Sequence, residues 1–163
     1  MFLPDLLKDK RILITGGGTG LGRSMAERFL GLGANVVICG RRKEVLEEAT
    51  AELARAAPGR IASIPLDIRD PDAVEAAIEA LWREAPLDAL VNNAAGNILA
   101  RTEDLSPRAM DAVIGIVLHG AAYMTLACGK HWLKAGRPGT VLSIVTTYAW
   151  TGSAYVVPSA MAK

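Results

Sequence analysis

The segment Arg11–Gly22, RILITGGGTGLG, decides the fold of this 163-residue chain. An apolar, β-branched run leads directly into glycines at positions 16, 20 and 22. The residues that follow are apolar at helical spacing, which predicts a helix with one apolar face. That face comprises Leu21, Met25, Phe29 and Leu32. A strand, a glycine-rich turn and a helix in this order form the phosphate site of doubly wound α/β proteins, so the predicted ligand is a dinucleotide.

Glycines suit this turn for two physical reasons. The backbone must take conformations that are closed to residues with a Cβ, and its amide N–H groups must come close to a pyrophosphate. Glycines also cluster in ordinary tight turns, and the loop alone leaves that alternative open. The residues expected to bind the cofactor here are Gly16, Gly18, Thr19, Gly20 and Leu21.

Composition excludes several classes of protein. Hydrophobic residues make up 51% of the chain, which is typical of a globular domain. The 18 basic and 17 acidic residues are spread along the sequence, so we expect no nucleic-acid partner. No apolar run approaches the roughly 20 residues of a membrane span, and the first residues are too charged for a secretory signal. These features predict a cytoplasmic protein with no membrane partner.

Cysteine and histidine residues are few. Cys39 and Cys128 lie in a predicted strand and a predicted helix, where reduced thiols act as small hydrophobes. His119 and His131 have no carboxylate or cysteine cluster near them, so the sequence predicts no metal site.

Strands and helices alternate along the whole chain. This pattern predicts a doubly wound parallel sheet of the Rossmann type, an α/β fold with helices on both faces. Asp70–Pro71 and Ser106–Pro107 each place a capping side chain before proline, which predicts two helix starts. The second of these helices is expected to run to about Lys134. The predicted strands are residues 11–15, 34–39, 60–66, 88–92 and 139–145.

The last residues suggest an incomplete domain. A further helix is expected to begin at Val157, yet the sequence stops at Lys163 after little more than one turn. A parallel sheet that ended near residue 142 would also expose an apolar edge. We therefore expect residues 1–163 to be a single dinucleotide-binding Rossmann domain and a fragment of a longer protein.

The end of the second predicted strand indicates which cofactor binds. In the NAD-specific form of this fold an acidic residue about 20 positions after the glycines binds the ribose 2′-hydroxyl, whereas an arginine accommodates a 2′-phosphate. This chain has no acid there and carries Arg41 and Arg42. The pair favours NADPH over NADH. The alternative is that both side chains only solvate the start of the next helix.

A second motif follows the fourth predicted strand. Asn92 to Gly96 is NNAAG, and its small residues would let a cofactor lie against the backbone. With Thr15 before the GxxxGxG spacing, this motif resembles the short-chain dehydrogenase/reductase family, which marks the chain as part of a longer short-chain reductase. The resemblance implies that Asp67 meets the adenine amino group, although Asp67 also suits a turn. Further cofactor residues implied at these positions are Ile68, Asn93, Ala94 and Gly96.

The catalytic pattern departs from most of that family. Its reductases carry Tyr-x-x-x-Lys, in which the lysine holds the nicotinamide ribose and lowers the tyrosine pKa. Four residues before Lys163 this chain has Ser159. A serine hydroxyl is a far weaker acid than a phenol of ordinary pKa about 10, which argues against simple carbonyl reduction.

Tyr148 offers another phenol, and Tyr155 is the other candidate. The segments GGGTGLG, NNAAGN, TTYA and PSAMAK together resemble the 2,4-dienoyl-CoA reductases of the family. Val117 stands where most of the family has a catalytic asparagine, and the dienoyl-CoA reductases share this departure. The resemblance implies that Tyr148 and Asn97 hydrogen-bond the thioester carbonyl of the substrate. Lys163 would bind the ribose and, with Ser159, hold the water that protonates the α carbon.

The same resemblance implies the substrate and the assembly. An acyl-CoA substrate would contact Arg69, Ile98 and Ser106, with the guanidinium meeting CoA phosphate oxygens, and Thr146 would support the site. Family members usually assemble as homo-oligomers, and the resemblance implies a tetramer for this chain. Two alternatives stay open: a short-chain reductase for another enoyl or carbonyl substrate, and a non-catalytic NADP-binding protein.

Overall fold

A five-stranded parallel sheet organises the computed structural model, which describes residues 2–163. Met1, the first residue of the predicted domain, lies outside that range. The strands are β1 (Arg11–Thr15), β2 (Asn35–Gly40), β3 (Ile61–Pro65), β4 (Ala89–Asn92) and β5 (Thr140–Ser143). They pair in the order β3-β2-β1-β4-β5, so the direction of winding reverses between β1 and β4. The predicted doubly wound fold is confirmed, and the predicted strands overlap the observed ones.

Helices fill the connections between strands. They are α1 (Gly20–Gly31), α2 (Lys43–Ala56), α3 (Pro71–Glu84), α4 (Pro107–Ile114), a π-helical segment (Gly115–Gly120), α5 (Ala121–Lys134), α6 (Tyr148–Thr151) and α7 (Val157–Ala162). Both predicted caps are confirmed. Asp70 accepts hydrogen bonds from the backbone N–H groups of Asp72 and Ala73, and Ser106 Oγ accepts one from Ala109.

The sheet separates two apolar core layers. One face packs against α3 and α5 through Leu13, Val37, Val74, Ile78, Leu90 and Met124. The other packs against α1 and α2 through Ile14, Ala26, Leu30, Ile38, Leu46 and Leu53. The predicted apolar face of α1 only partly meets the core: Leu32 is buried and Met25 and Phe29 pack against this second layer, whereas Leu21 is 69% exposed. The fully buried residues of the helix are Gly22, Ala26 and Leu30.

The long helix Pro107–Lys134 contains the π-helical segment at its centre. The sequence did not predict this change of winding, which is rare and often found at functional sites. By length and composition this helix could cross a membrane, contrary to the expectation that no run is long and apolar enough. The helix of a soluble core has the same composition, and Met124, Cys128 and Trp132 are buried against the sheet.

The two cysteines are free and buried. Burial raises the pKa of the Cys39 thiol to about 12, with Cys128 adding to the effect. Burial likewise raises the pKa of the Cys128 thiol to about 12. Both thiols are therefore protonated and unreactive at neutral pH, in agreement with the packing role that the sequence predicted.

Candidate functional site

A cleft of about 320 Å³ lies at the carboxyl ends of the strands, where ligands bind in open α/β sheets. The loops after β1, β2, β3 and β4 all contribute to its walls. The predicted cofactor residues that line it are Gly16, Gly18, Thr19, Arg41, Arg42, Asp67, Ile68, Asn93 and Ala94. The structure therefore brings residues from four separate sequence motifs to one site.

Hydrogen bonds connect the glycine loop to the asparagine motif. Thr15 Oγ1 accepts from the backbone N–H of Asn93 at 3.0 Å and of Ala94 at 2.9 Å. Its own hydroxyl donates to Val91 O at 3.3 Å. In return, Asn93 Nδ2 donates to Thr15 O at 2.9 Å and to Gly16 O at 3.2 Å. The two motifs thus hold each other in place, and the buried polar groups of Thr15 are satisfied.

Two glycines of the loop are required by its geometry. Gly16 has φ +66°, which disfavours residues with a Cβ, and a Cβ there would lie 3.0 Å from Ala94 Cα. At Gly22 a Cβ would overlap Gly16 O and come within 2.6 Å of Asn93 Nδ2. The first turn of α1 can approach the loop this closely only because Gly22 has no side chain.

Charged groups gather at the outer end of the cleft. Arg41 and Arg42 are exposed and line it, and neither forms an ion pair within residues 2–163. Asp67 accepts from Arg69 Nε at 2.9 Å and from its backbone N–H at 3.1 Å. These bonds from Arg69 hold the pKa of the Asp67 carboxyl below its usual range, with Arg41 contributing less. Arg69, which was predicted to contact CoA, is thus bonded to Asp67, the residue that was predicted to bind the adenine.

The predicted cofactor residues and the residues that line the cleft are not the same set. The predicted cofactor residues outside its lining are Gly20, Leu21, Gly96 and Lys163. The lining residues that were not predicted are Cys39, Gly40, Val45, Leu46, Leu66, Ala95 and Ile116. Gly40, Leu66 and Ala95 directly neighbour predicted positions, so extending each motif by one residue would have found these three. Ile116 had no such signal, because it arrives from the π-helical segment far along the chain.

A second group of predicted residues meets beyond β5. Tyr148 begins α6, and its hydroxyl lies 3.0 Å from Ser159 Oγ in α7. Lys163 follows Ser159 by one helical turn, and its Nζ donates to Ile144 O. Burial lowers the pKa of Lys163, and Tyr148 acts in the opposite direction. The phenol, the serine hydroxyl and the lysine, separated in sequence, are therefore neighbours.

Three further candidate residues, Asn97, Ser106 and Tyr155, differ in their exposure and hydrogen bonds. Asn97 is exposed in the loop after β4, and its Oδ1 accepts from Ile98 N at 2.9 Å. Ser106 is already used as the cap of α4. Tyr155 is 55% exposed at φ +66°, and its carbonyl accepts from Ala100 N at 3.2 Å. That bond ties the Asn97 loop to the segment between α6 and α7.

Comparisons with known proteins agree with this geometry. The family model described as short chain dehydrogenase matches residues 10–163. A probable 2,4-dienoyl-CoA reductase of Bacillus subtilis, (2E)-enoyl-CoA-producing, is 39% identical over 96% of this chain and 62% of its own length. A probable 2,4-dienoyl-CoA reductase 3 of Caenorhabditis elegans, (3E)-enoyl-CoA-producing, is 40% identical over 96% of this chain and 52% of its own.

Solved structures give the same fold. The crystal structure of a short chain dehydrogenase from Bacillus anthracis superposes with a TM-score of 0.92 at 44% identity. The match covers 96% of this chain and 63% of that one. The chain thus spans between half and two thirds of the length of the relatives it matches.

Proposed function

We propose that this chain, which belongs to the short-chain dehydrogenase family, carries the cofactor site and catalytic residues of an NADPH-dependent reductase of unsaturated acyl-CoA thioesters. The substrate class is 2,4-dienoyl-CoA, and the product is 3-enoyl-CoA, as in fatty-acid β-oxidation. The observation that carries this proposal is the contact between Tyr148 and Ser159, one turn before Lys163. In this proposal Tyr148, which lies outside α7, supplies the phenol that the family's Tyr-x-x-x-Lys helix would carry at the position of Ser159.

The cofactor that we assign to the cleft is a dinucleotide with a 2′-phosphate. The backbone of the glycine loop and the N-terminus of α1 would hold the pyrophosphate. Arg41 and Arg42 would hold the 2′-phosphate, since both are exposed at the cleft and the position has no acid. Lys163 would hold the nicotinamide ribose. When bound, the nicotinamide supplies the hydride that the reaction needs.

Tyr148 would stabilise charge on the substrate. Ser159 Oγ can donate to the phenol oxygen, which leaves the phenol hydrogen free to donate to the thioester carbonyl. Asn97 would donate a second hydrogen bond through its amide, because its Oδ1 already accepts from Ile98 N. As a hydride adds to the δ carbon of the diene, electrons move to this oxygen, and the two donors stabilise the resulting enolate.

Protonation completes the reaction. A water held by Lys163 and Ser159 gives its proton to the α carbon, which leaves the double bond between the β and γ carbons. The hydride and this proton together add one hydrogen molecule to the diene, and the product is 3-enoyl-CoA. The names of the two relatives differ on this point, one being (2E)- and the other (3E)-enoyl-CoA-producing. The position of the proton source relative to the substrate decides between them.

A substrate panel tests the assignment. Purified protein is mixed with NADPH and either a 2,4-dienoyl-CoA, a 2-enoyl-CoA or a simple ketone, and the loss of NADPH absorbance is followed. We expect turnover with the dienoyl-CoA and identification of 3-enoyl-CoA by NMR. Turnover of the ketone alone would favour another short-chain reductase. NADPH binding without turnover of any compound would indicate a non-catalytic NADP-binding protein.

Tyr148→Phe tests the catalytic residue directly. Loss of the phenol hydroxyl removes one donor to the developing oxyanion, so kcat should fall on the order of 100-fold. The Kd for NADPH should not change, because the hydroxyl contacts Ser159 and not the cofactor cleft. Tyr155→Phe is the matched control, since that phenol is 55% exposed in the neighbouring segment. Equal kcat for wild type and Tyr148→Phe would reject the mechanism.

The cellular location and the subunit number of the protein remain predictions. We place it in the cytoplasm as a homo-oligomer, a tetramer by family resemblance. The helix Pro107–Lys134 offers Leu118, Leu126 and Leu133 as exposed apolar residues for such contacts. Sedimentation of the purified protein measures the subunit number.

A further inference from the structure

Arg69 binds the one carboxylate that faces the cofactor cleft. Asp67 is the only acidic residue among those that line the cleft within residues 2–163. Its Oδ1 accepts from the backbone N–H of Arg69 at 3.1 Å and from Arg69 Nε at 2.9 Å. Its Oδ2 accepts from Nε at 3.1 Å and from Nη2. Arg69 therefore holds both oxygens, although it does not itself line the cleft.

The number of available hydrogens limits what Asp67 can still accept. The two bonds from Nε share one hydrogen, so Arg69 gives one hydrogen each from its backbone N–H, its Nε and its Nη2. An ionised carboxylate has about four lone-pair sites and no hydrogen to donate. About one acceptor site therefore remains for a ligand in the cleft. That site can take only a donor.

The surroundings of the pair favour this arrangement. Arg69 Cδ lies beside the start of the π-helical segment, since a Cβ on Gly115 would be 3.8 Å from it. The charged groups that face Asp67 are Arg69 from its own loop and Arg41 from the loop after β2, and both hold the pKa of the Asp67 carboxyl below its usual 3.8. The two side chains are 35% and 43% exposed, so water screens their charges and the directed bonds matter most.

The strand order indicates which part of a dinucleotide meets Asp67. The glycine loop follows β1, Arg41 and Arg42 follow β2, and Asp67 follows β3, and these strands are successive neighbours in the sheet. In the function proposed above, the pyrophosphate lies at the first of these loops and the 2′-phosphate at the second. The nucleobase then extends to the third, where Ile68 supplies an apolar side chain to the cleft. Adenine carries an exocyclic amino group, which is a donor.

We propose that Arg69 is a positioning residue for the cofactor, which fixes the Asp67 carboxylate so that its one remaining acceptor site receives the amino group of adenine. Arg69 thereby helps to select adenine over a base with a carbonyl oxygen at the same place, because two acceptors cannot form a hydrogen bond. The assignment rests on the NADP site proposed above. It is separate from any contact with CoA, for which the other N–H groups of the guanidinium stay free.

A matched pair of nucleotides tests this selection. NADP+ and its hypoxanthine analogue differ by an amino group against a carbonyl oxygen, and calorimetry gives the Kd of each for wild type and Arg69→Met near neutral pH. Wild type should prefer NADP+ by about tenfold or more, since the analogue loses a hydrogen bond to a charged group. In Arg69→Met the carboxylate can turn, so the preference should fall roughly threefold. Equal preference in the two proteins would overturn the proposal.

Titration of Asp67 reports on the carboxylate without any ligand. The chemical shift of its γ carbon is followed by NMR against pH in wild type, Arg69→Met and Arg69→Lys. The Asp67 pKa should rise towards 3.8 in Arg69→Met, because the bonds that favour the ionised form are lost. Lysine keeps the charge but not the planar fork, so Arg69→Lys should lower this pKa again without restoring the preference for NADP+. An unchanged pKa in Arg69→Met, or full recovery of the preference with lysine, would contradict the positioning role.

Arg101→Met is the matched control. Arg101 pairs with Glu103 two residues away, as Arg69 does with Asp67, and neither member of this second pair lines the cleft. Its replacement should leave both the nucleotide preference and the Asp67 titration unchanged. Calorimetry with CoA completes the set, because a loss of CoA binding in Arg69→Met with unchanged nucleotide preference would assign Arg69 to the substrate alone and overturn the proposal. None of these measurements requires turnover, so selection of NADP+ without reduction of any acyl-CoA would reject the proposed reaction and leave the role of Arg69 intact.

Discussion

The glycine-loop region and the segment from β5 to Lys163 differ in how firmly the fold holds them. In β1 four of five residues are buried, and Thr15 Oγ1 accepts from the backbone N–H groups of Asn93 and Ala94. In β5 all four residues are exposed, and α7 contributes only Ala162 to a small core cluster with Val113 and Val117. Tyr148 and Lys163 also bond to Ser159 and Ile144. The cofactor region is therefore fixed by extensive packing, whereas the catalytic region combines one small cluster with single polar contacts.

This difference concerns the kind of substitution that each region tolerates. In a packed region, backbone geometry is the vulnerable property, and one added carbon atom can disrupt it. In a region positioned by single contacts, removal of a functional group should change the chemistry and leave the fold intact. The predictions below test this distinction, beginning with the largest expected effect.

Gly22→Ala should damage the packed region most. The new Cβ would overlap Gly16 O and approach Asn93 Nδ2 to 2.6 Å, and neither neighbour can move without breaking the link between the two motifs. We expect the free energy of unfolding to fall by about 3 kcal/mol and NADPH binding to be lost. Chemical denaturation and cofactor titration measure both effects.

Gly31→Ala is its control in the same helix. A Cβ at Gly31 would meet nothing within 4 Å, and alanine favours a helix over glycine by up to about 1 kcal/mol. We expect unchanged or slightly higher stability and unchanged NADPH binding. Equal stability of the Gly22 and Gly31 variants would show that the loop is not as tightly packed as the structure indicates.

Arg41→Ala and Arg42→Ala should have a smaller effect, confined to recognition. Both side chains are exposed and contribute no core packing, so the melting temperature should not change. Loss of a charged hydrogen bond should raise the Kd for NADPH by roughly tenfold or more. The Kd for NADH, which lacks the 2′-phosphate, should stay the same.

Arg83→Ala provides the comparison, because Arg83 is an exposed arginine paired with Glu79 on α3, away from the cleft. An equal loss of NADPH and NADH binding in the Arg41 and Arg42 variants would mean that these residues support the loop and do not select the phosphate. The packed region would then depend on its arginines as well as its glycines.

The same distinction explains how much the sequence could predict. The positions of the strands, the caps of α3 and α4 and most of the predicted cofactor residues in the cleft follow from local patterns, because hydrophobic alternation and glycine spacing are properties of neighbouring residues. The exposure of Leu21 was not predictable, because helical spacing does not show which row of residues faces a sheet. Ile116 and the π-helical segment were missed because they depend on tertiary packing.

Sequence patterns alone could not predict that Tyr148, Ser159 and Lys163 lie together. The spacing of Ser159 and Lys163 places both on one helical face, but nothing local connects Tyr148 to them. Only the resemblance to known reductases suggested that connection, and the structure brings the three side chains together. Asn92 was recognised as part of a motif, yet the hydrogen bond from its Nδ2 to Thr125 Oγ1 joins two segments far apart in sequence and could not be predicted from either.

The smallest predicted effect is the pH dependence that Lys163 gives to stability. Burial lowers its pKa below the ordinary 10.5. Between the folded and unfolded pKa values the unfolded chain binds more protons, so stability should rise with pH across that window. The melting temperature of wild type should therefore gain on that of Lys163→Met as the pH approaches 10.5. Lys134→Met, at the exposed end of α5, controls for the loss of one lysine. A constant difference between wild type and Lys163→Met would place the ammonium in solvent, and the contact with Ile144 would then not hold the catalytic lysine.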